Sequence, residues 1–598
     1  MAGGVDDTPR DNPRARDIFL LERERAGIMG QLKQAFDKAL AQLTGAGAPF
    51  ETVRETYRGV SYNVIKTAPV TLLDVWAQAA TYGDKEFLVY EGERWSHARL
   101  LQLAASMGHQ LVHEYGIAKG DRVAIAMRNY PEWMAAYIAI TSIGAIVVTL
   151  NSWGQARELE FALTDAETPV VICDQQRLDL IAERLSTLGV RAIVARPGGD
   201  ELPENAVSLD DFIAGHESAA MPAVEIAPDD YAMMMYTSGT TGNPKGALST
   251  HRAVCQAVAN MEVSATALAM INPETMQAMM STGYEPTQML AVPLFHVSGC
   301  HAVFLSAFKA GRRVVMMYKW DVKRALELIE SERVSFLSAA PSMLLQMLES
   351  PLLDKADVSS LFALGGGGSA TPPVLSRLLR QKFPKGYPGT GWGLTETNSI
   401  GAAFTGKPFL EKPRSAGFIH PGVEVEVRDE QGRVVPPGEA GELWIKTPAL
   451  IAQYWKRPDA NAEEFKDGWF KSGDVGYFDE EGYLFLSDRA KDMIIRGGEN
   501  IYPAEIEAII FDHPAVEEVA VFGVEDAKLG ERVAAAVVPK TGESPSAEDI
   551  QAYAAEHLAR FKVPEHIWLL DRPLPRNATG KVLKKDLKAE FAGRGANT

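Results

Sequence analysis

The apolar and polar positions near the start of this chain predict a helix. From about residue 14 to residue 43, apolar side chains recur at helical spacing among mixed charges. The apolar positions are Ile28, Leu32, Phe36, Leu40 and Leu43. This spacing predicts a helix that packs one side on the surface of a folded domain.

Short apolar runs then alternate with helical segments over much of the chain. "RVAIAM" precedes the helical "YPEWMAAYIAI", and "AIVVTL" follows it. Similar strand-like runs are "PVVICD", "AIVAR" and "MLAVPL", and "RVSFLSAAP" follows the helical "VKRALELIESE". Alternation of this kind predicts βαβ units and therefore largely parallel sheets.

One uncharged stretch has the length of a membrane span. It runs from Trp133 to Leu150, but Gly144 interrupts it and the composition changes there from Ala-rich to "AIVV". We interpret it as a buried helix followed by a buried strand. The first seventeen residues are mostly polar and charged, unlike a secretory signal. The sequence therefore predicts a cytoplasmic protein without a transmembrane segment.

The pattern changes after about Gly422. "VEVEVRDEQGRVVPPGEAGELWIKT" and "DVGYFDEEGYLFLSD" alternate apolar with polar residues around Gly-containing turns, which predicts antiparallel hairpins. Beyond Arg489, helical and strand patterns alternate again in a compact α+β arrangement. We predict an α/β fold with an extension over 1–60, a large domain over 61–488 and a small domain over 489–598.

Charge and cysteine content narrow the function classes. The net charge of −18 is a poor match for general binding to nucleic acids or anionic membranes. The three cysteines, Cys173, Cys255 and Cys300, lack the number and spacing of a disulfide framework or a zinc site. Cys300 precedes His301 in an apolar stretch, which favours burial over a role as a nucleophile.

The segment "YTSGTTGNPKGAL", from Tyr236 to Leu248, has the composition of a phosphate-binding loop. Glycine lets the backbone approach a ligand closely, hydroxyls and backbone N–H groups donate hydrogen bonds, and lysine adds a charge. A Walker loop needs Gly-Lys-Ser or Gly-Lys-Thr, whereas Pro244 precedes Lys245 and Gly246 follows it here. Taken alone, the segment is also compatible with a structural turn.

Several segments in order identify the resemblance. "YTSGTTGNPKGAL" resembles the phosphate-binding signature of the adenylate-forming superfamily, which includes acyl-CoA synthetases, aryl-CoA ligases, luciferases and peptide-synthetase adenylation domains. Further similar segments lie between about Val70 and Lys585: "RNYPEWMAAYIAITSIGAIVVTLN", "PLFHVSG", "GWGLTET", "WFKSGDVGYFDEEGYLFLSDRAKDMIIRGGENIYPAEIE" and "LPRNATGKVLKK". One such segment arises by chance, but the ordered set does not.

The resemblance implies a reaction and its cofactors. Superfamily members join a carboxylic acid to AMP with loss of pyrophosphate, and then typically pass the acyl group to a thiol such as that of CoA. By resemblance, the β- and γ-phosphates of ATP contact Thr237, Ser238, Gly239, Thr240, Thr241, Gly242 and Lys245. Thr395 would contact the α-phosphate, and Glu396 would bind Mg²⁺, a cation that prefers oxygen ligands.

The resemblance also implies a nucleoside site. Trp392, followed by Gly393, stands beside the adenine where many relatives have Tyr. Asp474 would accept hydrogen bonds from the ribose hydroxyls together with Arg489, although Asp488 replaces a common Gly before it. The glycine-rich "LFALGGGGSATPP" matches a loop between adenine and acyl group. It contributes Gly368 and Ser369, where Ser369 and Ala370 replace the usual Ala-Pro pair.

Other matched positions concern the acid and the second half-reaction. His296 resembles the residue that flanks the acyl pocket, and Lys581 resembles the lysine that contacts the carboxylate and α-phosphate during adenylation. Lys491 matches a hinge position about which the small domain rotates between the half-reactions. Rotation would bring Gly497 and Gly498 to the site and leave room for a pantetheine arm.

Several alternatives stay open at this point. The acceptor is CoA, which we favour, or a separate carrier protein; a luciferase-like oxygenase and an inactive nucleotide-binding regulator are the other readings. For the acid we favour a medium- or long-chain fatty acid, and an aryl or cinnamic-type acid is the alternative. The N-terminal helix offers a homodimer contact or simply covers the fold.

Overall fold

In a computed structural model of the chain, the strands form two large sheets whose central strands run parallel. The structure describes residues 30–199, 201–237, 244–367, 373–384, 386–489, 492–496, 499–526, 528–576 and 582–592. Strands and helices are numbered below in chain order.

The first large sheet has eight strands. Their order across the sheet is β21 (Gln453–Tyr454), β11 (Lys245–Thr250), β10 (Tyr231–Thr237), β6 (Ile146–Thr149), β5 (Arg122–Ala126), β7 (Val170–Asp174), β8 (Arg191–Ala195) and β9 (Ala206–Ser208). The strands from β10 to β9 run parallel, and β11 and β21 add antiparallel pairs. The central strands are buried on both faces, which accounts for their continuous apolar sequence.

The second large sheet has nine strands. Their order is β18 (Phe418–Ile419), β17 (Gly401–Thr405), β16 (Gly389–Gly393), β15 (Ala363–Gly367), β14 (Phe336–Ala339), β12 (Thr287–Leu290), β13 (Arg313–Met316), β3 (Glu86–Tyr90) and β4 (Glu93–Ser96). The strands from β16 to β3 run parallel, and antiparallel strands close both edges. Two glycine-rich strands, β15 and β16, therefore lie side by side within the parallel part.

Two smaller sheets follow, as the change of pattern after Gly422 predicts. The antiparallel one contains β19 (Glu424–Arg428), β20 (Gly441–Lys446), β23 (Trp469–Phe478), β22 (Phe465–Lys466) and β24 (Leu484–Arg489). The last sheet contains β26 (Glu499–Ile501), β25 (Ile494–Arg496), β28 (Gly530–Pro539), β27 (Val516–Asp526) and β29 (His566–Leu569). The antiparallel sheet thus ends at Arg489, and the sheet of the small α+β part begins at Ile494.

Helices cover both large sheets. In chain order they are α1 (30–44), α2 (Leu72–Ala80), α3 (His97–His113), α4 (Pro131–Ser142), α5 (Ala156–Asp165), α6 (Gln175–Ile181), α7 (Leu185–Leu188), α8 (Leu209–Ile213), α9 (His251–Met270), α10 (Pro273–Ser281), α11 (Val297–Gly299), α12 (Ser306–Lys309), α13 (Val322–Glu332), α14 (Pro341–Glu349), α15 (Pro373–Lys382), α16 (Lys407–Glu411) and α17 (Pro458–Glu464). The small sheet carries α18 (Pro503–Phe511), α19 (Ala547–His557) and α20 (Lys584–Phe591).

The chain before the first large sheet folds onto the domain. In α1, Phe36 is buried and stacks on Phe418 with 4.6 Å between ring centroids, so this helix packs on the surface as its spacing predicts. A hairpin of β1 (Thr52–Tyr57) and β2 (Val60–Ile65) follows and straddles the predicted start of the large domain at residue 61. The domain limits themselves stay predictions.

The uncharged stretch from Trp133 to Leu150 forms the buried helix and strand that its composition predicts. Every residue of α4 is buried, and β6 follows it after the interruption at Gly144. Across the described ranges, no single helix has the length and hydropathy of a membrane span. The α9–α10 pair, bent by 95°, passes that test of length and composition as a unit.

Candidate active site

A cavity of about 890 Å³ lies where strands of both large sheets end. Its walls include residues that lie two or three positions beyond the carboxyl ends of parallel strands: Asn129 after β5, Ser152 after β6, Val292 after β12 and Tyr318 after β13. Ligands of open α/β sheets bind at this edge. The fold thus assembles the cavity from loops that are far apart in the sequence.

The glycines of β15 and β16 form one wall of the cavity with almost no side-chain volume. A Cβ atom at Gly366 or Gly391 would find its nearest neighbour at 3.4 Å, an ordinary van der Waals contact. In contrast, a Cβ at Gly393 would lie 2.1 Å from the Ser399 carbonyl oxygen. Gly366 and Gly391 therefore keep the cavity wide, whereas close backbone packing requires Gly393.

Trp392 and Asp474 meet beside this wall. The indole N–H of Trp392 donates a 2.7 Å hydrogen bond to Asp474 Oδ2, and both side chains are buried. Asp474 lies on β23 opposite Arg489 of β24, so the two predicted ribose-binding residues are paired across neighbouring strands. A buried carboxylate held by an indole is oriented before any ligand arrives.

Thr395 and Glu396 lie in a single 3₁₀ turn, Thr395–Thr397, that begins two residues after the end of β16. Hydrogen bonds hold the turn in place. The Glu396 carbonyl accepts the Ile451 N–H, and the Thr397 hydroxyl forms hydrogen bonds with the backbone N–H and carbonyl of Leu394. Glu396 Oε1 lies 2.7 Å from the Tyr454 hydroxyl. The carboxylate is therefore held at the end of a strand that lines the cavity.

A chain of polar contacts continues from Tyr454 to the phosphate-loop segment. The Tyr454 hydroxyl also lies 2.9 Å from Glu464 Oε2, and the other oxygen of Glu464 lies 2.5 Å from Lys245 Nζ. The Lys245 ammonium is 4.2 Å from the centroid of the Tyr454 ring. Burial, with the nearby Glu396 and Glu464 carboxylates, raises the pKa of Tyr454, so its hydroxyl stays protonated.

His296 lines the cavity at the start of α11. Its Nδ1 accepts the backbone N–H of Ser298 at 3.3 Å and lies 2.9 Å from the Ser298 hydroxyl. Desolvation by the surrounding protein lowers the pKa of His296 to about 4. The ring is therefore neutral near pH 7, and with Nδ1 accepting, Nε2 carries the proton.

The sequence profiles of two families match this chain. That of the AMP-binding enzyme matches residues 75–455, and that of the AMP-binding enzyme C-terminal domain matches residues 505–581. This chain belongs to the AMP-binding enzyme family. The adenylate-forming resemblance and the α/β fold class are thereby confirmed.

Proteins and solved structures that are similar to this AMP-binding enzyme agree with the assignment. A long-chain-fatty-acid–CoA ligase of Mycobacterium tuberculosis is 35% identical over 83% of this chain and 93% of its own length. A feruloyl-CoA synthase of an Amycolatopsis species is 34% identical over 84% and 94%. The o-succinylbenzoate CoA synthetase of Bacillus subtilis, solved with its acyl-adenylate intermediate, superposes with a TM-score of 0.70 at 30% identity over 88% of this chain and 99% of that one.

The structure brings one group of the predicted residues together. Thr237 and Lys245 are paired at the ends of β10 and β11, so the segment between them joins two antiparallel strands. His296, Trp392 and Gly393 line the cavity. The predicted residues outside the described part of the chain are Ser238, Gly239, Thr240, Thr241, Gly242, Gly368, Ser369, Lys491, Gly497, Gly498 and Lys581, together with the side chain of Arg489.

The small domain reaches the cavity through Arg576. A β-bridge pairs Arg576 with Val582, so these two residues bracket the segment that contains Lys581.

Cys300, which precedes a buried His301, is itself buried, and burial raises the pKa of its thiol. The burial is what the sequence context predicts, and the thiol is un-ionised near neutral pH.

Sequence reasoning missed a cationic and aromatic wall of the cavity. The Arg128 guanidinium lies 3.5 Å from the centroid of the Trp153 ring and 5.7 Å from that of Tyr318. Arg128 Nε and Nη1 are buried and make no hydrogen bond to another described group. These residues come from three separate strand ends, and no local pattern marks them as neighbours. Tyr454 and Glu464 were missed for the same reason.

Proposed function

We propose that this AMP-binding enzyme is an ATP-dependent carboxylic acid–CoA ligase that acts on medium- or long-chain fatty acids. The observation that carries the proposal is the wide, glycine-walled cavity beside the Trp392–Asp474 pair, at the strand ends of both sheets. Its substrates are ATP, CoA and the acid, and Mg²⁺ accompanies the nucleotide. A relative solved with ATP and magnesium, at 30% identity, supports this set.

In the first half-reaction, a carboxylate oxygen of the acid attacks the α-phosphorus of ATP. A new P–O bond forms, the bond to the β-phosphate oxygen breaks, and pyrophosphate leaves. Asp474, oriented by Trp392, would bind the ribose hydroxyls, and Thr395 would contact the α-phosphate. The acyl-adenylate then has the leaving group that a free carboxylate lacks.

Glu396 would hold Mg²⁺, which neutralises charge on the phosphate oxygens. Its carboxylate suits this cation, which commonly takes one or two protein carboxylates and completes its shell with phosphate oxygens and water. Within the described residues, no group of three His, Cys, Asp or Glu side chains is arranged to hold a metal by itself. A Mg²⁺ site here would therefore depend on ATP.

In the second half-reaction, the sulfur of CoA attacks the acyl carbonyl carbon, the C–O bond to AMP breaks, and acyl-CoA and AMP are released with loss of the thiol proton. We assign Lys581 to the first step only, where its charge would offset that of the transition state. Rotation of the small domain about Lys491 would then bring Gly497 and Gly498 to the cavity. Arg576, which already lines the cavity beside the segment containing Lys581, supports the arrangement for the first step.

The proposal of a fatty acid as the substrate is based on the residues that line the cavity. Met261, Val297, Ala302, Ala402 and Ala403 supply apolar surface, and a volume of about 890 Å³ lies near the upper end of the range for small-molecule sites. A long alkyl chain suits such a surface, because its burial releases apolar area from water. An aryl or cinnamic acid is the second candidate, and the 34% identical feruloyl-CoA synthase favours it.

The acceptor and the setting of the reaction belong to the same proposal. Arg128 and Lys319 line the cavity and would suit a phosphorylated thiol such as CoA.

Cys173, Cys255 and Cys300 are all free thiols, as in a reducing compartment, which supports the cytoplasm as the location. A homodimer stays a prediction.

The test is pyrophosphate release with MgATP across fatty, aryl and cinnamic acids, with and without CoA. We expect acid-dependent release, strongest with medium or long fatty acids, and a CoA thioester of the matching mass. If pyrophosphate is released but a thioester forms only on a phosphopantetheinylated carrier protein, that carrier protein and not CoA is the acceptor. ATP binding without release by any acid would refute the ligase and indicate a nucleotide-binding regulator.

A further inference from the structure

An arginine and a serine line the cavity without the partners that buried polar groups normally have. Arg128 lies two positions beyond β5, and Ser152 lies three positions beyond β6, the neighbouring strand. Nε and Nη1 of Arg128 and the Ser152 hydroxyl are buried, and none of them forms a hydrogen bond to a described residue. Ser152 is only 2% exposed. Because an unpaired buried donor costs free energy, three such donors in one wall indicate a ligand.

Ring contacts hold the Arg128 guanidinium in place. It lies 3.5 Å from the centroid of the Trp153 ring and 5.7 Å from that of Tyr318. Asp174 accepts the backbone N–H of Arg128, but both of its carboxylate oxygens contact the Arg177 guanidinium. Stacking fixes the plane of a guanidinium and leaves its N–H groups available. Arg128 is therefore an oriented cation whose capacity for hydrogen bonds is unused.

The charges around the cavity indicate that the ligand is an anion. Arg128, Lys319 and Arg576 line the cavity, whereas none of its described lining residues is an aspartate or a glutamate. The whole chain has a net charge of −18, so a cavity wall with only positive formal charges differs from the rest of the protein. Burial and the neighbouring Arg177 lower the pKa of Arg128. A bound anion would offset both effects.

Among the substrates of the proposed reaction, CoA has phosphates that are still without a site. The acid brings one carboxylate, which must reach the α-phosphate of ATP. The other phosphates of ATP are assigned to the segment between β10 and β11, and β6 separates β10 from β5 in the sheet. Trp153 is 44% exposed, so this end of the cavity opens to solvent. CoA carries its phosphates and its thiol at opposite ends of a long arm, which suits a phosphate site at this opening.

We propose that Arg128 and Ser152 bind a phosphate group of CoA at the mouth of the cavity, where Trp153 holds the guanidinium in place. The inference rests on the proposed function, in which CoA accepts the acyl group. It extends that function by assigning the acceptor to two residues. It also implies that the phosphates, and not the thiol arm alone, determine which thiol the enzyme uses.

A series of thiol acceptors tests the proposal: CoA, dephospho-CoA, 4′-phosphopantetheine and pantetheine, which carry progressively fewer phosphates. The kcat/KM for thioester formation is measured with each acceptor for the wild type and for Arg128→Met. We expect Arg128→Met to lower kcat/KM for CoA roughly 10- to 100-fold, mainly through KM, because hydrogen bonds between charged groups are lost. For pantetheine the change should stay within ~3-fold. The acceptor at which the two enzymes converge identifies the phosphate.

Ser152→Ala tests the same site with a smaller change. It removes the hydroxyl but leaves the charge and the stacking of Arg128. We expect kcat/KM for CoA to fall roughly 3- to 10-fold, as for the loss of one hydrogen bond. This loss should disappear at the same acceptor as the loss in Arg128→Met. Convergence at different acceptors would show that the two residues do not share a phosphate and would overturn the proposal.

Arg191 provides a matched control. Its guanidinium lies 3.6 Å from the centroid of the Tyr115 ring and donates to the Tyr115 carbonyl, outside the cavity lining. Arg191→Met removes the same charge and a similar stacking contact, but it should leave the preference for CoA over pantetheine unchanged. If Arg191→Met loses this preference to the same extent as Arg128→Met, net charge explains the effect and the proposal fails.

Two other anions would give different results. If an ATP phosphate occupied the site, Arg128→Met would raise the KM for ATP in acid-dependent pyrophosphate release without CoA. If the acid carried a second carboxylate, the variant would lose the adenylation of dicarboxylic acids and keep its preference for CoA. Either result would overturn the proposal.

Direct binding separates this proposal from the ligase activity. Calorimetric titration with CoA and with pantetheine, without ATP or acid, requires no turnover. We expect the wild type to bind CoA at least ~10-fold more tightly than pantetheine, and Arg128→Met to lose that difference. Absence of acid-dependent pyrophosphate release would refute the ligase and leave this titration interpretable. Equal affinities for CoA and pantetheine in the wild type would refute the phosphate site.

Discussion

Replacing Trp392 by Phe removes one hydrogen bond and little else. The ring face beside the cavity remains, but Asp474 Oδ2 loses the indole N–H that lies 2.7 Å away. Trp392 and Asp474 are 7% and 6% exposed, so water has little access to replace the donor. The variant therefore isolates the orientation of the carboxylate that we assign to the ribose.

The magnitude follows from the kind of bond. A hydrogen bond to a charged group contributes about 1.5–3 kcal/mol, which corresponds to roughly 10- to 150-fold in an equilibrium constant. Trp392 acts on the ribose only through Asp474, so that range is an upper limit. We expect the KM for ATP to rise roughly 5- to 30-fold with a smaller change in kcat.

The assay compares ATP with 2′-deoxy-ATP and 3′-deoxy-ATP. The wild-type enzyme should prefer ATP, and Trp392→Phe should lose most of that preference, because the analogues already lack a hydroxyl for Asp474. Trp95→Phe is the matched control: its indole donates to the Glu93 carboxylate at 3.0 Å, outside the cavity lining. An unchanged preference in folded Trp392→Phe would refute the reasoning.

Three further predictions concern other parts of the molecule. Lys581→Ala should abolish acyl-adenylate formation but spare thioester formation from supplied acyl-adenylate; equal loss of both steps would contradict its assignment. Gly391→Leu should lower kcat/KM for long acids more than for short ones, because its side chain enters the cavity from a site with no closer neighbour than 3.4 Å. The free energy of unfolding should fall between pH 6.5 and 4, measured by urea denaturation. Burial lowers the pKa of His251 and His420 to about 4 and that of His301 to about 3, so the unfolded chain binds protons that the folded chain does not, at up to about 1.4 kcal/mol per histidine and pH unit; a flat profile above pH 5 would contradict this.

The fold was largely predictable because its signals are local. The run from Trp133 to Leu150 predicts α4 and β6 through composition and one interrupting glycine, and tertiary packing then buries both. The hairpins after Gly422 follow from a period of two residues. Each of these elements needs only the hydrophobic pattern of its own residues, and the sheets that bury them supply the rest.

The contacts of the site were not predictable in the same way. Trp392 and Asp474 are 82 positions apart, and Lys245 and Glu464 are 219 apart. The resemblance placed Trp392 and Asp474 near one nucleoside, but a direct bond between them depends on how β16 and β23 approach each other. Arg128 and Trp153 carry still less signal, because an arginine and a tryptophan after two strands are common on any surface.

The glycines of β16 show the physical limit most clearly. Gly389, Gly391 and Gly393 alternate along one strand, so a period of two residues assigns all three to the same face and the same role. The three positions differ in the space that an added Cβ would find. It would lie 2.3 Å from Thr405 at Gly389 and 2.1 Å from Ser399 at Gly393, but at Gly391 it would make only ordinary van der Waals contact. Because the surrounding strands decide which glycine is free to gain volume, a side chain can narrow the cavity at Gly391 alone among the three. The width of the cavity at this wall is therefore set by the spacing of the neighbouring backbones, which no local pattern in the sequence reveals.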